Sequence, residues 1–156
     1  MDKISQISQY IENQNYEDLY RLDNEIVFWV DWKGDDVEIV KCCEYCIKTG
    51  YLDSELIHEN NESLLSIHFN GNNFSQKVID RDSTLIFLNQ IIKPNFDLRF
   101  CLDSDENDTL AFLPLSIIEW NLLEDKFGQN VIDELFESVE IDSRIFNGDW
   151  DVELDG

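Results

Sequence analysis

Apolar residues recur three and four positions apart in "KISQISQYIEN", and the shared face of Ile4, Ile7 and Ile11 predicts a short amphipathic helix near the start. The period then drops to two. In "EIVFWVDW", Ile26, Phe28, Val30 and Trp32 alternate with Val27, Trp29 and Asp31, the pattern of a mostly buried strand. Asp35 or Asp36 can cap the next segment, "VEIVKCCEYCIKTG", which reads as a helix through Val37, Val40, Cys43 and Ile47 ending at Gly50. "YLDSELIHENNE" shows neither period and reads as irregular. Residues Ser63 to Ile79 read as a β-hairpin, with Leu65, Ile67 and Phe69 on one face and Asn70-Gly71 at the turn, where positive φ is needed.

In "RDSTLIFLNQIIKP", a capping Asp82 or Ser83, the apolar Leu85, Leu88 and Ile92, and the following Pro94 delimit a helix. "FDLRFCLD" alternates as a strand and "TLAFL" follows as a second strand beyond an acidic knot, which becomes the tip of a second hairpin. Ser116 and Glu119 form a capping box that opens a helix with Trp120, Leu123 and Phe127 inward. After a break at Gly128, Val131, Leu135, Phe136 and Val139 continue in helical spacing. The expected architecture is a single α+β domain over 1–156. Its antiparallel sheet joins both hairpins to "EIVFWVDW" under a cover of helices, and 143–156 is a loose acidic tail or an edge strand.

Composition sharpens the picture through charge. With 34 Asp and Glu against 11 Lys and Arg, the 156-residue chain carries a net charge of −23, well beyond the magnitude of about 2 to 8 that keeps a small domain soluble. Residues 103–156 alone hold 16 acids and two bases, Lys126 and Arg144, for a net of −14. Such a field opposes nucleic acid and anionic membrane and attracts a basic protein. No stretch approaches the roughly 18 uninterrupted apolar residues of a membrane span, and the start lacks a secretory pattern. Four cysteines, Cys42, Cys43, Cys46 and Cys101, are too few for a disulfide scaffold. These signals predict a cytoplasmic chain.

The candidate chemistry thins on inspection. Asp103, Asp105 and Asn107 match the first, third and fifth positions of an EF-hand loop, but Asp108 stands where glycine is needed and Pro114 where a bidentate Glu is needed. Cys43 and Cys46 have C-x-x-C spacing, yet the predicted helix has run about two turns before Cys43, past the region where a helix N-terminus lowers a thiol pKa. They read as core residues. His58 and His68 belong to no nucleophile–base signature, and the six glycines form no phosphate-binding loop. No catalytic residue, metal or cofactor is assigned. The partner-facing candidates are the carboxylates Asp103, Asp105, Glu106 and Asp108, with Asp149 and Asp151 flanking Trp150 as an anchor.

A strongly acidic α+β chain of this kind resembles the immunity proteins that bacteria make against their own polymorphic or contact-dependent growth-inhibition toxins. The stretch "LAFLPLSIIEWNLLEDKFG", residues 110–128, looks like the strand, proline-containing turn and capped, Trp-bearing helix associated with them. The resemblance implies a non-enzymatic, stoichiometric inhibitor of a basic toxin domain, often a nuclease. The alternative of a different class is a nucleic-acid mimic of the anti-restriction or anti-CRISPR type, which spaces the same carboxylates like backbone phosphates.

Overall fold

In the computed structural model, which describes residues 2–31, 35–105, 109–143 and 145, strand β6 (Thr109–Ser116) is buried on both faces over six consecutive residues. That burial explains why "TLAFLPLS" reads as a continuous apolar run. β6 lies between β1 (Phe28–Asp31) and β5 (Phe96–Cys101), and β7 (Phe136–Ser138) closes the other side of β5, giving an antiparallel sheet of order β1-β6-β5-β7. Pro114 falls inside the strand without breaking the ladder. It lies beyond the end of β1, whose last partner in that direction is Phe112, and its partner Leu98 turns both backbone groups away from it. Leu98 donates its N–H to Asn89 and accepts from Val139, so this pair needs no hydrogen bond from the proline.

Two cores flank this sheet. Phe28, Val30, Leu98, Phe100, Leu110 and Phe112 face helices α3 (Asp36–Ile47) and α4 (Arg81–Ile92). Cys101, Ala111, Leu113 and Leu115 face α1 (Lys3–Asn13), α2 (Tyr16–Tyr20), α5 (Ile117–Phe127) and α6 (Gln129–Leu135). The first core continues into a second antiparallel sheet of β2 (Leu52–Glu59), β3 (Glu62–Phe69) and β4 (Asn72–Lys77), which contributes Leu52, Leu65, Ile67 and Phe69. The fold is α+β, with antiparallel sheets and hairpins covered by helices. Among the described residues no helix is long and apolar enough to cross a membrane.

Several sequence expectations are corrected. The β3–β4 hairpin does not join β1 in one sheet; it builds its own with β2. Residues 52–59, expected to be irregular, are that strand, and Asn60-Asn61 supplies two consecutive positive φ values for the turn to β3. β1 is shorter than "EIVFWVDW": Ile26 bonds back to Asp23 in a turn and packs with Val27 in the second core. The helix over 131–139 ends at Leu135, because Phe136 to Ser138 pair with β5. Asp80, not Asp82 or Ser83, caps α4 in a reciprocal box with Ser83. Asp82 is buried and accepts the N–H of Ile145, so the chain is held to the domain at least that far into the expected tail. Residues 146–156 lie outside the described residues, as does Trp32.

Candidate functional site

The knot that follows β5 is half built into the fold. Leu102–Ser104 form a 3-10 turn whose Leu102 carbonyl accepts from Asp105 N–H at 3.0 Å. Ser104 is buried, donates its hydroxyl to Cys101 O at 2.7 Å and accepts Ala111 N–H at 2.9 Å. Asp103 accepts the phenolic O–H of Tyr10, reaching across from α1. Burial, followed by the bond to Asp103, pushes the Tyr10 pKa far up, so the phenol stays a donor. Asp103 and Asp105 are exposed, and the backbone that carries them is pinned, which limits the ordering cost of binding. Glu106, Asp108, Asp149, Trp150 and Asp151 lie outside the described residues.

Topology brings further acids to the same place. Because Cys101 pairs with Phe136 and Phe100 with Glu137, the end of β5 lies beside the end of α6, and α6 packs on the 3-10 turn. Exposed Asp133 and Glu134 therefore lie on a helix packed against the turn that carries Asp103 and Asp105, and exposed Glu137 lies on the neighbouring strand, its side chain on the Phe100 face of the sheet, with Glu140 and Asp142 following in the chain. Sequence reasoning missed these five. The signal was the acid density of "DELFESVEID", but the pairing that places it beside the knot links residues far apart in the chain.

Asp133 and Glu134 occupy the last turn of α6, where the helix presents its negative end and a carboxylate costs about 0.3–1 kcal/mol. Asp133→Asn and Glu134→Gln are each expected to stabilise the protein by about that amount, read as a rise in thermal midpoint. A fall in both variants would contradict the dipole argument.

The cations do little to offset this face. Lys33 and Arg144 lie outside the described residues; of the other nine, seven sit within 4.0 Å of a carboxylate of the same chain. Among them, Arg99 binds Asp97 at 2.9 Å and approaches Glu124 at 3.6 Å, while Arg81 binds Asp36 at 2.6 Å. The surplus negative charge is left facing outward.

Helix α5 shows an apolar outer stripe. Ile118 is 73% and Leu122 52% exposed, one helical turn apart, with Asp125 next in line. α5 packs on α6 through its other side, where Trp120 and Leu123 are buried. Cys43 and Cys46 are buried in the first core, far along α3 from its N-terminus. His68 approaches Glu55 at 4.0 Å and bonds Asn73 on the open face of the second sheet. Among the described residues, no group of three or more His, Cys, Asp or Glu is placed to hold a metal ion. No family model, curated protein or solved structure matches the chain.

Proposed function

We propose that the chain is an immunity protein, a stoichiometric inhibitor that covers a basic toxin domain, of nuclease type, with the acidic cluster of Asp103, Asp105, Asp133, Glu134 and Glu137. The observation that carries this reading is the cluster of exposed carboxylates on the pinned turn and the elements beside it, on a chain whose own cations are mostly engaged internally. A nuclease holds phosphates with Lys and Arg, so carboxylates offered to that surface meet charges the toxin must keep. Ile118 and Leu122 supply what charge does not, an apolar contact that excludes water and slows dissociation. A mimic of a phosphate backbone has no need of such a stripe, which favours the inhibitor over the nucleic-acid mimic.

The test is affinity capture from the host cell with the tagged chain, followed by kinetics against the captured protein. A basic, toxic domain is the expected catch. Neutralising Asp103, Asp105, Asp133 and Glu134 together to Asn and Gln should slow association by about 10- to 1,000-fold at low salt and flatten its salt dependence. Ile118→Ser with Leu122→Ser should act on dissociation. Capture of no basic protein, or unchanged rates in both variants, would refute the proposal.

A further inference from the structure

The two longest stretches of the chain without a carboxylate, residues 63–79 and 83–96, fold against each other as β3–β4 and α4. They line a cleft floored by Phe69, Phe74, Phe87 and Ile91, with Asn and Gln side chains and Lys93 around it. On a chain of charge −23 these two segments carry no acid of their own, and the carboxylate that borders them, Glu62, is ion-paired with Lys77 at 3.1 Å.

β4 borders the cleft and is the outer strand of its sheet. The three other sheet edges carry carboxylates: Asp31 on β1, Glu137 on β7, and Asp53, Glu55 and Glu59 on β2. Charge, proline or short length normally guards an exposed edge. β4 runs six residues, "NNFSQK", with neither acid nor proline and only Lys77 at its end. Val78 N–H bonds Ser63 O at 2.9 Å, so alternation turns the backbone groups of Asn73, Ser75 and Lys77 outward. No strand among the described residues pairs with that side.

We infer that this edge is the interface between two copies of the chain. β4 pairs antiparallel with β4 of its partner across a two-fold axis at Ser75, which joins the two three-stranded sheets into one of six. The register sets each Asn73 opposite the partner's Lys77, and Phe74, 38% exposed in the single chain, beside the partner's Gln76. Charge selects this occupant: two strongly anionic chains repel wherever carboxylates face each other, and the edge whose strand has no acid, with its neighbour Glu62 neutralised by Lys77, is where they approach at least cost. The pairing leaves the acidic cluster beside the other sheet uncovered, so it stands apart from the proposed inhibitor function.

Sedimentation of the purified full chain from about 1 µM to about 1 mM should show a concentration-dependent species of twice the 18.4 kDa chain mass. Salt should strengthen it by screening like charges, the reverse of its effect on a basic partner. Ser75→Pro removes an outward N–H that the single chain does not use and, acting twice across the axis, should weaken the dimer by about 10- to 100-fold with thermal midpoint and circular dichroism unchanged. Ser75→Glu places two carboxylates face to face and should do the same, with partial recovery in high salt; it decides the matter if the proline variant fails to fold. A monomer at every concentration and salt, or a dimer indifferent to both substitutions, would overturn the inference.

Discussion

Trp120→Ala is expected to destabilise the protein by about 3–5 kcal/mol, the range for removing a buried tryptophan. The indole is 1% exposed and joins three elements. Its Nε1–H donates to the Asp97 carbonyl of β5 at 2.8 Å, its edge meets the Phe136 ring of β7 at a 5.3 Å centroid distance, and the Arg99 guanidinium lies 4.1 Å over its face. Alanine removes all three contacts and leaves the Asp97 carbonyl without this donor. Trp120→Phe retains most of the volume and the aromatic stacking but loses the N–H, so the loss should fall to about 1–3 kcal/mol. Urea unfolding measures both. The same substitution reports on function, because Trp120 fixes α5 and β7 to β5, and these elements carry the apolar stripe and part of the acidic cluster. If Trp120→Ala costs less than about 1 kcal/mol, the α5 side of the sheet is not packed as described.

The elements most legible in the sequence are those whose signal is local. The Asn70-Gly71 turn, the Ser116–Glu119 capping box and the isoleucine stripe of α1 each lie within a few residues, and the structure places all three as expected. What failed depends on distant partners. Nothing within 63–79 reveals whether the hairpin pairs with β1 or with 52–59, and β2 buries only Leu52, so 52–59 carried no period that would mark it as a partner strand. Phe136 sits in helical spacing with Val131 and Leu135, yet Cys101 on β5 claims its backbone. The acidic knot was legible as a candidate; its extension into Asp133, Glu134 and Glu137 was not, since only β5–β7 pairing brings them together. On α5 the apolar residues surround the helix, so the spacing that found Trp120 and Leu123 inside gave no sign that Ile118 and Leu122 would be left outside. An apolar residue that folding leaves exposed is visible only once the core has been filled.

Stability should collapse in alkali, and three buried thiols, the C-x-x-C pair and Cys101, are the main reason. Cys43, Cys46 and Cys101 are each at most 2% exposed. Burial, the largest cause in each case, raises all three from an ordinary value of 9.0, Cys46 to about 12, and the Asp103 charge adds to the rise at Cys101. Tyr10 is raised in the same way from 10.0, by burial and then by its bond to Asp103. The folded state keeps these protons while the unfolded chain releases them, so the stabilisation is complete below pH 9 and is lost as pH climbs from 9 toward the folded values. Three such thiols give a slope of about 4 kcal/mol per pH unit once their unfolded counterparts are ionised, with Tyr10 adding to it above pH 10. A stability of about 5–15 kcal/mol would be spent within a few units. Free energies from urea unfolding between pH 7 and 11 measure the slope, and alanine at Cys43 or Cys101 should reduce it by about a third. The same burial predicts that these thiols react with a disulfide reagent only at the rate of unfolding. A flat stability profile from pH 9 to 10.5, or fast labelling of Cys43 and Cys46 in the native protein, would mean that the pair is open to solvent and would reopen the redox reading that its place along α3 argues against.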